Sequence, residues 1–175
     1  MAEAARDQDR VKRNRVIGLS IAFVVFAVDQ AIKWLVTHPL QLRQWKTIEI
    51  LPFFKLTWLE NRGVSMGLLN AESELGRWGL VALTAAIALF VTFWLWREKR
   101  RDDAVALSLV LGGALGNILD RLRLGYVVDY ADLHFGDVHP FLVFNVGDAA
   151  ITIGVLLWLV RALLTRERKA PEEEK

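Results

Sequence analysis

GGALGNILDRLRLGYVVDYADLHFGDVHPFLVFNVGD, residues 112–148, is the stretch on which the reading of this chain turns. Asp120, Asp129, Asp132 and Asp137 lie within it and Asp148 ends it, while DDAVALSLVL leads in and AAITIGVLLWLVRALL leads out. Carboxylates, Asn and Arg bordering membrane-like apolar segments are costly to keep, so they point to a functional site. A pair of aspartates in that setting suits hydrolytic chemistry within a membrane.

Composition agrees with a membrane setting. The chain has 175 residues, 54% of them hydrophobic, with seven Trp. That length suits one domain. Charged residues reach 24%, close to the soluble average, but they gather in clusters instead of spreading along helical faces. The formal net charge is only +2, and the basic residues sit beside apolar segments. Anchoring at a membrane surface fits that pattern, and nucleic-acid binding is not expected. With no Cys, a disulfide framework, a thiol nucleophile and a thiolate metal site are all excluded.

Working outward, residues 1–15 form a basic arm carrying Arg6, Arg10, Lys12, Arg13 and Arg15. The apolar segment Val16–Val36 follows without a small-residue cleavage site. As a helix it measures about 31 Å at ~1.5 Å per residue, enough for a bilayer core of roughly 30 Å. Residues 37–77 lack a membrane-length apolar run. Partial alternation there (Ile48, Ile50, then Phe54, Leu56, Trp58), punctuated by Pro52 and Gly63, predicts a few short strands at the membrane face. A second helix is expected from Trp78 to Trp96, with tryptophans at both ends as interfacial anchors. The turn REKRRDD, 97–103, leads to a third from Ala104 to Leu122, and a fourth is expected from Phe141 to Leu164. The tail 166–175 is charged, and disorder is expected there.

The expected fold is therefore mainly α. Four transmembrane helices form a single unit over 16–165, with a small extracytoplasmic β-containing region at 37–77. Most of the 22 Lys and Arg lie in the arm, the 97–103 turn and the tail. The positive-inside rule then puts both termini in the cytoplasm, and residues 37–77 and the 112–148 site at the outer side.

Within the site, Gly112 and Gly116 form a small-xxx-small pair suited to close helix packing. Asn117, Asp120 and Arg121 share one helical face, and Asp120 reads best as a polar contact joining helices. Asp129 lies just past the third helix and Asp148 near the start of the fourth. Two facing carboxylates near an interface cannot easily both ionise, so one keeps a proton. Such a pair supplies a base to activate water and an acid for a leaving amine. Spacing alone leaves open that each merely caps a helix or pairs with Arg. Asp132 and Asp137 read as solvated loop charges.

DQAIKWLV, NRGVSMGLL, GGALGNILDR, GYVVDYADL and FNVGDAAITIGV resemble, in order and spacing, the motifs of the lipoprotein signal peptidases (signal peptidase II). The resemblance covers roughly 16–165. It implies an aspartic endopeptidase whose catalytic pair is Asp129 and Asp148. It also implies supporting or substrate-binding roles for Asp29, Lys33, Asn61, Asn117, Arg121 and Asn145. The implied reaction removes the signal peptide of a prolipoprotein just before its diacylglyceryl-modified cysteine, with no metal and no cofactor. The implied location is the bacterial cytoplasmic (inner) membrane. Surrounding phospholipid, globomycin-like cyclic peptide inhibitors and a monomeric state complete what it implies. Departures from the family pattern are Tyr130 for Phe, Gly147 for Ala, and VSM (64–66) for the frequent AAF.

Two other classes fit less of the chain. GYVVDYADL loosely resembles the metal-binding aspartates of CDP-alcohol phosphotransferases, but their DG-x-x-AR start is missing. A non-enzymatic carrier would be expected to show paired halves, and the sequence has none.

Overall fold

A computed structural model describes residues 2–63, 74–136 and 138–167. In chain order the elements are helix α1 (Ala2–Thr37), a short helix α2 (Leu42–Trp45), strands β1 (Thr47–Leu51) and β2 (Phe54–Asn61), and helices α3 (Glu74–Arg97) and α4 (Arg101–Leu124). Strand β3 (Val127–Leu133) and helix α5 (Val146–Glu167) are the last two described elements.

Among the described residues, four of the helices are long and apolar enough to cross a membrane. Their outward faces carry large apolar side chains: Phe23 is 68% exposed, Leu89 71% and Phe90 62%. Asp29, Lys33, Ser108, Asn117 and Asp120 are turned inward and buried. Apolar outside and polar inside is the arrangement that lipid as solvent demands. The chain is a multi-pass membrane protein.

Helix α4 is the central one, with 56% of its apolar window buried against 22%, 22% and 17% for α1, α3 and α5. Its glycines explain how it gets so close to its neighbours. A Cβ at Gly112 or Gly116 would strike α1, at the Ala22 carbonyl and the Asp29 carboxylate respectively; one at Gly113 would strike the Gly147 carbonyl of α5. The Gly112–Gly116 pair thus packs helices, as its spacing predicts. Ala22, Ala88, Val91, Leu95, Ala104, Leu107 and Leu111 fill the space between α1, α3 and α4.

The strands form one antiparallel sheet in the order β1-β2-β3. It closes one end of the bundle over a second core of Val36, Leu42, Val128, Tyr130 and Ala131. Helix α4 ends at Gly125, whose φ of 84° turns the chain directly into β3.

Several boundaries differ from the sequence expectation. The basic arm is helical and continuous with α1, not a separate segment. Two strands do lie between the first and second membrane helices, but the third comes from the 112–148 stretch. The last helix begins at Val146 and not at Phe141, because Phe144 is engaged as extended chain. Its N–H donates to the Ala131 carbonyl at 3.0 Å, and its own carbonyl accepts the Ala131 N–H at 2.8 Å. Asn145 then starts the helix as its cap, its Oδ1 accepting the Asp148 N–H at 2.9 Å. The Met66 departure and Asp137 lie outside the described residues.

Candidate active site

Three local structures converge at the end of the bundle covered by the sheet. Asp129 stands in the middle of β3, opposite Leu59 of β2. Asn61, two residues beyond Leu59, is therefore its diagonal neighbour on the same sheet face. Its Nδ2 donates to Asp129 Oδ2 at 2.9 Å. Phe144 clips the start of α5 against β3, so Asn145 Nδ2 reaches Asp129 Oδ1 at 2.6 Å. Asp148 sits in the first turn of α5, where carboxylates are favoured by the helix dipole. Its Oδ2 accepts the Asn145 N–H at 3.2 Å, and its Oδ1 accepts Asn117 Nδ2 from α4 at 2.8 Å. Asn145 thus holds both carboxylates, one through its side chain and the other through its backbone.

Asp129 is 1% exposed and Asp148 half-buried. Burial first, and the charge of Asp148 second, push the Asp129 carboxyl up to about 6, against the opposing hydrogen bonds of Asn61 and Asn145. A group with that value holds its proton far better than an ordinary aspartate. The pair therefore contains one strong candidate for an acid and one for a base.

The six supporting residues are placed in two shells of contact. Asn61, Asn117 and Asn145 touch the aspartates directly. Arg121, one helical turn from Asn117, is half-buried within electrostatic reach of Asp129, Asp148 and Asp120. Its Nε makes no hydrogen bond among the described residues. Asp29 and Lys33 lie one bond further back: Lys33 Nζ bridges Asp29 Oδ2 at 2.8 Å and Asp120 Oδ2 at 2.9 Å, and donates to Asn117 Oδ1 at 3.0 Å. Buried at 0% and 4% exposure, both are engaged with groups of the bundle itself.

One side chain departs from its sequence reading and another was missed by it. Asp132 is not a solvated loop charge. It is 4% exposed on β3, where it accepts Thr57 Oγ1 at 3.0 Å and pairs with Lys55 at 3.5 Å and His139 at 3.0 Å. The loop reading fails because the sequence pattern gives no sign of β3. Gln30 has no role in the sequence reading, although its Nε2 lies 3.2 Å from Asp29 Oδ2 and 3.1 Å from Asp120 Oδ1. A signal is present: D-Q-x-x-K puts three polar residues on adjoining faces of an otherwise apolar helix. Tyr130, the departure next to Asp129, is buried in the second core, and burial pushes its hydroxyl above the ordinary value so that it stays neutral.

A lipid-facing helix bundle with two carboxylates and three asparagines under a small sheet defines a class: a polytopic membrane protein with a polar site near one end. Comparison with known proteins makes that class specific. The family model described as signal peptidase (SPase) II matches residues 21–164, and the chain belongs to that family of peptidases. It is 58% identical over 160 residues to the lipoprotein signal peptidase of Rhizorhabdus wittichii, covering 91% of this chain and 93% of the relative. With that of Sphingopyxis alaskensis it shares 52% over 158 residues, covering 90% and 91%. A solved bacterial membrane enzyme, determined by the in meso method at 2.3 Å, superposes with a TM-score of 0.76 at 28% identity. That match covers 91% of this chain and 94% of the other.

Proposed function

We propose that this membrane peptidase is an aspartic endopeptidase that removes signal peptides from prolipoproteins, cutting just before the diacylglyceryl-modified cysteine. The observation that carries the reading is Asn145 holding Asp129 and Asp148 together while Asp129 is raised to about 6. The substrate class rests on the names of the relatives.

In this mechanism Asp129, nearly inaccessible, holds the shared proton, and the more open Asp148 is ionised. Asp148 takes a proton from water as the oxygen attacks the peptide carbonyl carbon, and Asp129 gives its proton to the carbonyl oxygen. The resulting gem-diol returns a proton to Asp129 as it collapses. Asp148 passes its own proton to the departing nitrogen, the C–N bond breaks, and the pair regains its starting state. No covalent enzyme intermediate forms, and no step calls on a metal. Arg121, half-buried beside the pair, is suited to hold a carbonyl oxygen of the substrate backbone through its guanidinium. Asn117 and Asn145 keep both carboxylates aimed at one point.

Both termini are assigned to the cytoplasmic side of the bacterial inner membrane, which places the site near the outer face, within reach of phospholipid and of globomycin-like cyclic peptides. The chain acts as a monomer on this reading. The test is cleavage of a diacylglyceryl-modified substrate by the purified full-length protein in the presence of EDTA, with mass spectrometry locating the cut. Asp129→Asn, Asp148→Asn and the double change should each abolish cleavage to a similar degree, since groups acting as a unit are non-additive. Cleavage by a correctly inserted single variant at more than a small fraction of the parental rate would sink the aspartic mechanism.

A further inference from the structure

The two segments that carry the aspartates are tied down in the same way. In each, the backbone amide immediately before the aspartate donates to a carboxylate buried in the bundle. Val128 N–H reaches Asp120 Oδ2 at 3.1 Å, and Gly147 N–H reaches Asp29 Oδ1 at 2.9 Å. Those two carboxylates, on α4 and α1, share the ammonium of Lys33 at 2.9 and 2.8 Å. Gln30 Nε2 lies within hydrogen-bond distance of the same two and of the Gly116 carbonyl at 3.3 Å. The third proton of the ammonium goes to Asn117 Oδ1 at 3.0 Å, and the other end of that amide holds Asp148. All three ammonium donors are therefore committed.

A cluster that only joined α1 to α4 would need no bond to either amide. Nor would it be cheap: buried ion pairs seldom add net stability over an apolar packing of the same volume, and their best use is to fix one geometry among several. Asp29, Lys33 and Asp120, at 0%, 4% and 4% exposure, spend their polar atoms on one another, on Gln30 and Asn117, and on the two amides. We propose that Asp29, Lys33, Asp120 and Gln30 form a brace that sets the separation of Asp129 and Asp148, acting as positioning residues for the peptidase reaction. The proposal rests on the reading of Asp129 and Asp148 as the catalytic pair.

Separation matters because the mutual repulsion of two carboxylates sets the gap between the two apparent pKa values of the pair. If the brace slackens, the carboxylates move apart and the two limbs of the pH–rate profile draw together. A misplacement of about 1 Å can cost ~10²-fold in rate. A purely packing role would instead lower the folded fraction and leave the profile of the remaining enzyme unchanged.

The full-length protein carrying Asp120→Asn or Asp29→Asn tests this. Each change keeps an oxygen for the backbone amide and removes one ion pair. The expected result is a kcat lowered about 10–100-fold with KM within about twofold, and a narrower pH profile of kcat. Backbone hydrogen exchange should quicken around Val128 in Asp120→Asn and around Gly147 in Asp29→Asn. Gln30→Met, which removes a donor but no charge, should narrow the profile in the same sense and serves where an Asn variant does not accumulate folded. A parental kcat, or a loss that follows the folded fraction with an unchanged pH profile, overturns the brace. Asp129→Asn and Asp148→Asn run alongside: full loss there with parental behaviour of the brace variants removes the brace alone, whereas cleavage retained there removes the catalytic pair and the brace with it.

Discussion

Asp129 and Asp132 sit three residues apart on one strand, yet solvent exclusion acts on them with opposite outcomes. Asp129 has amide partners and a neighbouring carboxylate, and its carboxyl is raised to about 6. Burial also opposes the charge of Asp132, but His139, Thr57 and Lys55 outweigh it and hold its carboxyl below the ordinary value. The signs follow by linkage. A raised carboxyl costs the folded state stability as pH climbs from the unfolded value through the folded one. A lowered one contributes stability at neutral pH that disappears on acidification through its folded value. Asp129→Asn should therefore raise thermal stability near pH 7, by about 1–3 kcal/mol, since each tenfold change in proton affinity is worth ~1.4 kcal/mol. The gain should fade below about pH 4, where the carboxyl is protonated in both states. Asp132→Ala should lose about 1–3 kcal/mol near pH 7, the scale for orphaning buried partners, and the deficit should shrink in acid. Unfolding of the detergent-solubilised proteins across pH checks both, and a shared sign for the two variants would refute the assignment. Residue types and spacing drew attention to Asp129 and Asp148 but left capping roles open, and only the family likeness named them as the expected pair. The environment of Asp132 was hidden, because Lys55 and Thr57 lie more than seventy positions upstream and nothing local to Asp132 announces them.

Helix α4 carries Asn117 and Arg121 on one face because four residues is close to one turn. That face receives Lys33 from α1 and presents an amide to Asp148 on α5. Asn117→Ala removes a donor to the Asp148 carboxyl, and Arg121→Ala removes the positive charge beside the pair. Each should lower kcat by about 10²–10³, the usual cost of one charge-stabilising donor, in protein that still inserts and folds. Initial rates at saturating substrate decide it: parental rates in both would take these two residues out of the site. The four long helices were legible because a membrane span needs an uninterrupted apolar length, which is a local property. Strand β3 was not. Its core VVDYA is short and buried almost throughout, so it shows no alternation, and only pairing with β2 and Phe144 makes it a strand. The same pairing moved the start of α5 to Val146, as no sequence pattern marks where an extended residue gives way to a cap.

At the scale of the molecule, charge placement yields a topology that can be measured. Reporter tags at residue 1, near residue 100 and at residue 175 should report the cytoplasm, and one beside Arg43 the opposite side; a cytoplasmic signal from Arg43 would overturn the orientation. Basic clusters are legible in any sequence, and so is a family likeness spread over five motifs. What stayed hidden is how distant segments meet, such as the contact of Asp29 with the Gly147 amide across 118 positions. That contact bears on how the protein comes to be made. Its first helix emerges from the ribosome with Asp29, Gln30 and Lys33 already in place, but some of the groups they hold arrive only with the last one. A nascent chain halted after β3 lacks Asn145, Gly147 and Asp148 altogether, so Asp129 has no partner carboxylate and Asp29 waits without the amide it accepts. On the proposed reading of Asp129 and Asp148 as the catalytic pair, peptidase activity starts only when the final helix enters the membrane, and an unfinished copy is inert.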